Sequence, residues 1–208
     1  MHVHRGMTDL LDEAPATGTL TDLPFLEART VQRFLDAPVP DDVLQQVYDT
    51  VRWGPTALNT SPLRVLVVRS PEARERLATH MAGFNRDRVL AAPVTLVVAA
   101  DVEFDTHLPT LAPHLGGVSP FADRPEQRAA VARDNAWLQT GYLLVGLRAA
   151  GLGVGPMTGM DAAGIDADLL AGTSWRSLAV VNVGWPEGTG TDRPRAARLS
   201  WDEVSREL

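Results

Sequence analysis

Residues 53–64 decide how the rest of this chain is interpreted, and they read Trp53-Gly54-Pro55-Thr56-Ala57-Leu58-Asn59-Thr60-Ser61-Pro62-Leu63-Arg64. Two prolines among small hydrogen-bonding residues favour an irregular loop. An apolar pattern of helical spacing precedes this loop at residues 43–51, and a strand pattern follows it at residues 64–69. The sequence therefore predicts a ligand-binding loop here, with a plain polar connection between helix and strand as the alternative.

Composition excludes several kinds of chemistry. The chain has 208 residues, enough for one domain with its own core or for a protomer whose core continues into a partner. It contains no cysteine, which rules out thiolate nucleophiles, cysteine-bound zinc, iron–sulfur clusters and disulfides. All 19 Lys or Arg residues are arginine, which also rules out a Schiff-base lysine and a phosphate-loop lysine.

The charge pattern and the N-terminus bear on partners and location. The net charge is −7 and the arginines are scattered, so nucleic acid is not an expected partner. Residues 1–21 lack the apolar run of a signal peptide, and no window approaches the roughly 18 apolar residues of a membrane span. We expect a cytoplasmic protein with a flexible tail at 1–21 and one domain at 22–208. His2 and His4 have no third ligand nearby, so no metal site is expected.

The rest of the chain predicts alternating helices and strands. Pro40-Asp41-Asp42 favours a helix start, because proline suits the first turn and acids suit the positive end of the helix dipole. Ser70-Pro71-Glu72 opens a second helix, predicted to run through Met81. Residues 93–100 are almost wholly apolar, which predicts a central strand buried on both faces. A further apolar strand is predicted at 178–184.

A long helix is predicted from Pro125 to Gly151. Its second half, residues 136–147, is apolar nearly all round, and such a helix must be buried on every side. An obligate dimer explains this in so short a chain, with Gly141 and Gly146 allowing close helix approach; the alternative is a core helix of a monomer. The preceding proline- and glycine-containing segment, 110–124, is predicted to be a lid or a weakly ordered insertion.

Residues 152–161, Leu-Gly-Val-Gly-Pro-Met-Thr-Gly-Met-Asp, carry three glycines within seven positions before a predicted short helix. Bare backbone lets a ligand approach closely, and a helix start turns amides toward it. The spacing alone is a weak signal, because glycine-rich turns between strands and helices are common.

Five segments together resemble the FMN-dependent nitroreductase family, from Leu23 to Leu208. Residues 53–64 are similar to its Pro-Ser-Ala-x-Asn-x-Gln-Pro-Trp-Arg loop, and the variant here is most similar to the RutE/HadB branch, the malonic semialdehyde reductases. The other four segments are residues 28–34, similar to Arg-Arg-Ser-Val-Arg-x-Phe, the glycine-rich segment 152–161, Asn85, and Arg195 with Arg198 before residues 199–204.

The resemblance implies an α+β nitroreductase-like fold with a central, mostly antiparallel sheet flanked by helices. It implies a homodimer with two FMN sites at the interface, in which one subunit holds the phosphate and the partner lays its 55–59 loop across the ring. The FMN contacts implied are Arg29, Thr30, Gln32, Arg33, Pro55, Thr56, Ala57, Asn59, Asn85, Met157, Thr158, Gly159, Arg195 and Arg198. Ala28 and Gln32 replace charged family positions, so the phosphate is expected to rely on Arg29, Thr30 and Arg33 together with a C-terminal arginine, for which Arg198 is preferred over Arg195.

The resemblance also implies the chemistry, in which NADH or NADPH reduces FMN at N5 and the substrate reoxidises it in a ping-pong cycle without a catalytic side chain. The expected reaction converts malonic semialdehyde (3-oxopropanoate) to 3-hydroxypropanoate in pyrimidine degradation. Arg64 is the candidate for the substrate carboxylate, ahead of Arg86 and Arg88, with a helix-facing salt bridge as its alternative role. The alternative functions are a nitroaromatic or quinone reductase, or a flavin-binding protein without a reductase cycle.

Overall fold

The computed structural model describes residues 22–208, so the predicted tail and its two histidines, His2 and His4, lie outside the described residues. The helices are α1 (Asp41–Val51), α2 (Pro71–Ala78), α3 (Asn85–Ala91), α4 (Leu108–Leu111), α5 (Pro125–Ala149), α6 (Ala162–Asp168) and α7 (Trp201–Val204). The strands are β1 (Leu63–Val68), β2 (Val94–Asp101), β3 (Gly153–Met157) and β4 (Trp175–Gly184).

The four strands form one antiparallel sheet in the order β1-β2-β4-β3, and this confirms the predicted fold class. Strand β2 is buried along its whole length, as its apolar sequence predicts. Its alternate side chains enter two cores on opposite faces of the sheet: Val98 packs with Leu147 of α5, whereas Val97 packs with Leu77 of α2 and Ile165 of α6. Helices therefore cover both faces.

Two helix ends differ from the prediction. Helix α2 ends at Ala78 rather than Met81, because the amides of the next three residues bond to carbonyls only three positions back and Met81 instead bridges to Met160. Helix α5 ends at Ala149, and Gly151 follows with a φ of 81°, a left-handed conformation that terminates helices.

The 25-residue helix α5 is only partly covered within one chain. A Cβ at Gly146 would lie 2.4 Å from Val51 Cγ1, so this glycine lets α1 approach, whereas Gly141 has open space beside it. Trp137 and Leu138 remain 36% and 45% exposed. The all-round burial predicted from the sequence is therefore not achieved by the described part of this chain.

None of its helices between residues 22 and 208 has the length and apolarity of a membrane span.

The segment at 110–124 is attached to the core. Phe121 is buried and packs edge-on against Phe104, with ring centroids 5.6 Å apart. Ser119 Oγ donates to Asp105 Oδ2 at 2.8 Å, and Arg128 forms an ion pair with the same carboxylate at 3.1 Å. These contacts argue against a weakly ordered insertion.

Candidate functional site

The predicted phosphate segment, residues 29–33, lies along β3, the outer strand of the sheet. Val31 N donates to Val154 O at 3.0 Å. A Cβ on Gly155 would lie only 2.8 Å from Val31 O, so the two backbones can approach this closely because the position is glycine. We call residues 29–33, Asn85 and residues 157–159 together the β3 edge.

Thr30 and Gln32 sit at the middle of this segment. Thr30 is exposed and forms an isolated parallel bridge with Val154, while Gln32 is half-buried and its amide donates to Gly190 O at 2.7 Å. The segment is therefore fixed on both sides by backbone contacts, which leaves the Thr30 hydroxyl at the surface.

The predicted flavin turn follows directly where β3 ends. Met157 is buried, whereas Thr158 and Gly159 are exposed. Gly159 O accepts hydrogen bonds from Asn85 Nδ2 at 3.1 Å and from Ala82 N at 3.0 Å, so Asn85 lies beside the turn, as the resemblance implies. Within residues 22–208 the amides of Thr158 and Gly159 donate no hydrogen bond. Two exposed backbone donors thus stand free at the end of an edge strand.

Arg29 has a basic neighbour that the sequence did not suggest. It is half-buried and lines a cavity of about 460 Å³ together with Arg148, near the end of α5. Burial, and then the positive charge of Arg195, lower the pKa of Arg148. Neither Arg29 nor Arg148 has a carboxylate partner within 4 Å among the described residues. Arginines are common in the last turn of a helix because they interact favourably with the helix dipole. The position of Arg148 in the sequence therefore did not indicate a role in a binding site.

Arg33 is engaged elsewhere. It forms a bidentate pair with Asp192 at 2.6 and 3.0 Å and lies 3.7 Å from Glu187. The hydrogen bond to Asp192 and its charge raise the pKa of Arg33, and the same contacts lower the pKa of Asp192. A phosphate would have to compete with two carboxylates for this guanidinium.

The two C-terminal arginines make different contacts. Arg195 donates to the carbonyls of Phe25, Leu26 and Ala28, so it fixes the backbone just before Arg29. Within residues 22–208, Arg198 donates to carbonyls of its own segment, those of Ala196 at 3.2 Å and Ala197 at 2.9 Å. Arg195, and not the preferred Arg198, is thus the arginine that bonds to the backbone leading into the phosphate segment.

The loop at residues 55–64 lies at the other edge of the sheet, and we call it the β1 edge. Ala57 N donates to Asn135 Oδ1 at 2.7 Å, and Tyr142 Oη donates to Pro55 O at 3.1 Å. Asn59 has a φ of 55°, and its Nδ2 donates to Leu111 O at 2.8 Å.

Other polar groups of this loop bond within the chain, although the buried Thr60 hydroxyl has no partner among the described residues. Thr56 Oγ1 accepts from Ser61 N at 3.2 Å, and the Pro55, Thr56, Ala57 and Asn59 groups named here are thus all held by the chain itself. A cavity of about 1000 Å³ opens beside the loop, lined by residues that include Tyr48, Trp53, Asn59, Arg64, His107 and Leu111.

Arg64 forms a largely buried ion pair. Its guanidinium lies 2.7 Å from Asp101 Oδ2, with side chains 21% and 6% exposed. It also donates to Ser61 O, and Asp101 Oδ1 accepts from Ser174 Oγ at 2.6 Å. This is the salt-bridge alternative in another form, a link between β1 and β2 rather than toward a helix.

One chain does not bring the two edges together. Strands β1 and β3 are three positions apart in the sheet, which corresponds to about 14 Å at the usual spacing between strands. The structure therefore places Arg29, Thr30, Asn85 and residues 157–159 along one edge, and the 55–64 loop along the other.

Comparisons with known proteins identify the family of the chain. Residues 26–185 match the Nitroreductase family. A Streptomyces griseus protein provisionally named NADH dehydrogenase/NAD(P)H nitroreductase is 50% identical over 185 residues, covering 88% of this chain and 93% of that protein. A Leptothrix cholodnii protein with the same provisional name is 46% identical over 179 residues, covering 86% of this chain and 90% of that one.

Solved structures extend the agreement to the fold. The crystal structure of a provisionally named nitroreductase from Exiguobacterium sibiricum in complex with FMN has a TM-score of 0.73 at 18% identity, covering 90% of this chain and 98% of that one. The predicted oxidoreductase class and cofactors agree with these relatives' names. With residues 26–185 matched to the family and 50% identity to a relative over 185 aligned residues, this chain belongs to the nitroreductase family.

Proposed function

We propose that this chain is an FMN-dependent NAD(P)H oxidoreductase that works as a homodimer. The observation that carries the proposal is the pair of exposed amides at Thr158 and Gly159, beside Asn85 at the end of an edge strand. Neither amide has an acceptor in the part of the chain that the structure describes. Such donors suit the nitrogen and carbonyl acceptors along a flavin ring.

The remaining groups of the β3 edge fit the other parts of FMN. Arg29, with Arg148 in the same cavity, offers charge-assisted hydrogen bonds to a phosphate, and the exposed Thr30 hydroxyl adds a neutral donor. Arg195 orders the backbone before Arg29. When bound, the flavin accepts hydride from NADH or NADPH and passes it to the substrate. The protein side chains hold and orient the reactants.

A homodimer follows from how the site is divided. The β1-edge loop cannot cover the β3 edge of its own chain, so we assign that role to the loop of a second subunit. Apolar side chains that would be costly to leave in water support this assembly, among them Trp137 and Leu138 on α5. Leu199 and Trp201 near the C-terminus are 67% and 77% exposed as well.

Two classes of substrate fit the site. Similarity of residues 53–64 to the RutE/HadB branch supports malonic semialdehyde, whose carboxylate needs a cation. The pairing of Arg64 with Asp101 favours instead a nitroaromatic or quinone acceptor, which needs none. The proposed reductase cycle is the same for both acceptor classes. The rate of turnover with each acceptor distinguishes between them.

The test is anaerobic stopped-flow absorbance of the FMN-loaded protein mixed with NADH or NADPH, followed by each acceptor. We expect the flavin to bleach and then to recover its colour with one acceptor class, and light scattering to give a dimer with about one FMN per chain. A flavin that binds but never bleaches would show a flavin-binding protein without a reductase cycle. A colourless monomer that FMN cannot reconstitute would refute the proposal entirely.

A further inference from the structure

We infer that His80 is a positioning residue for the Thr158–Gly159 turn, and this inference rests on the proposed function of that turn. His80 lies two residues beyond the end of α2 and has no role in the predicted site. It sits in a short ribbon that joins the turn to the segment leading into Asn85.

The ribbon is built from backbone contacts on both sides of the turn. Asp161 N donates to His80 O at 2.7 Å, and Ala82 N donates to Gly159 O at 3.0 Å. Met81 and Met160 form an antiparallel bridge between these two bonds. The strand-like pairing therefore sets the position of Gly159 relative to the residues just before Asn85.

The imidazole clamps this ribbon onto α6. His80 Nε2 lies 2.9 Å from Asp168 Oδ2, at the last residue of α6. A Cβ on Gly164 would lie 2.6 Å from His80 Nδ1, so the ring packs directly on the first turn of the same helix. Asp161 caps that turn by accepting from Gly164 N at 3.0 Å. The ring thus touches both ends of a helix that begins three residues after Gly159.

The charges around His80 keep the clamp in place. Arg76 Nε donates to Asp168 Oδ1 at 2.8 Å, and Arg76 with His80 lowers the pKa of Asp168 to about 2. The carboxylate of Asp168 is thus charged at ordinary pH and can accept from His80 whether or not the imidazole carries a second proton. The charged groups that face this contact are Arg76 of α2, Asp161 at the N-terminal cap of α6, and Asp168 at the end of α6.

Loss of the clamp should let the turn drift while leaving the phosphate segment on β3 untouched. Misplacement by about 1 Å can slow a reaction by on the order of a hundredfold. We therefore expect His80→Ala to slow flavin bleaching by about ten- to a hundredfold. The dissociation constant of FMN should rise by a smaller factor than the bleaching rate falls, because the phosphate segment at residues 29–33 is held by β3 and not by His80.

Three variants and a control separate positioning from general damage. His80→Gln keeps a donor at the position of Nε2 and should restore bleaching to within about threefold of wild type. His80→Asn keeps only a shorter donor and should behave like His80→Ala. Glu75→Gln, an exposed position on α2, is the matched control and should change nothing. Equal damage in His80→Gln and His80→Ala, or wild-type bleaching in His80→Ala, would overturn the inference.

Hydrogen exchange of the flavin-free protein gives a readout that does not need catalysis. The amides of Ala82 and Asp161 should exchange about tenfold faster in His80→Ala than in Glu75→Gln, because both bonds belong to the ribbon. If the wild-type flavin never bleached, the proposed function would fail while faster exchange still supported the clamp. Unchanged exchange in His80→Ala would refute the clamp even in an active reductase.

Discussion

The two edges of the sheet use similar residues in opposite ways. At the β1 edge, Ala57 N, the Asn59 amide and the Arg64 guanidinium are all bonded to the chain's own acceptors. At the β3 edge, the Thr158 and Gly159 amides have no acceptor among residues 22–208. The donors named at the first edge are used within the chain, with the buried Thr60 hydroxyl left unpartnered among the described residues, whereas the second edge has exposed free donors for a ligand.

This difference matters because a polar residue in a family motif does not by itself identify a ligand contact. A buried polar group that already has its partner mainly stabilises the fold, whereas an exposed donor without one costs little and remains available. Arg64 and Arg29 illustrate this: both are half-buried, but only Arg64 has a carboxylate partner among the described residues.

Arg64→Met is expected to have the largest effect, and it tests whether the β1 edge stabilises the fold. Removing one partner of the largely buried pair leaves Asp101 without its counter-ion, so we expect a loss of about 3 kcal/mol in the free energy of unfolding. Flavin bleaching by NAD(P)H should stay near the wild-type rate. Urea unfolding and stopped-flow absorbance measure the two effects.

The control for that variant is Arg52→Met, which removes an exposed pair with Asp49 at 3.3 Å. We expect a loss below about 1 kcal/mol, as is usual for surface pairs. If Arg64→Met kept its stability but lost turnover with malonic semialdehyde alone, Arg64 would be a substrate contact and the β1 edge would not be purely structural.

Gly159→Val tests whether the turn at the β3 edge faces the flavin. A side chain here would crowd the turn, since a Cβ would lie 2.8 Å from Asn85 Nδ2. We expect flavin bleaching to slow by on the order of a hundredfold, with Thr158→Ala clearly milder. Thermal unfolding of the loaded protein controls for general damage.

Adding Asn85→Ala to Gly159→Val identifies the cause. If the valine acts only by displacing Asn85, Asn85→Ala alone should slow bleaching as much as Gly159→Val does, and the double variant should be no slower than either. If the bare backbone itself must face the flavin, Asn85→Ala alone should bleach much faster than Gly159→Val. A wild-type rate in Gly159→Val would mean that the turn is not at the reactive edge.

The smallest expected effect is an acid dependence at the helix that supports the β3 edge. Bonds to Arg76 and His80 lower the pKa of Asp168 from 3.8 to about 2. The resulting stabilisation is complete above about pH 4 and is lost as the pH falls through about 2. The melting temperature of Asp168→Asn should therefore fall less steeply than that of wild type between pH 4 and 2. The melting temperature of Asp134→Asn, at an exposed position, should follow wild type.

Local patterns predicted most elements of the fold. The apolar run at 93–100 is β2, shifted by one residue, and the helix start at Pro40-Asp41-Asp42 is the start of α1. The end of α2 was missed, because the bridge between Met81 and Met160 joins residues far apart in sequence. Arg148 was missed for the same reason, since its relation to Arg29 exists only once β3 and the N-terminal segment are side by side.

The strands, the helices, the glycine-rich turn and the resemblance to a family could be predicted from the sequence, since these depend on residues near one another in the chain. Which polar groups already have a partner within the chain is known only from the tertiary structure. The pair between Arg33 and Asp192 spans 159 positions, and the strand order places residues 55–64 and 157–159 at opposite edges. A hydrogen bond or a close ion pair needs a partner within a few ångströms. Whether a donor is free therefore depends on the groups that folding brings next to it from distant parts of the chain.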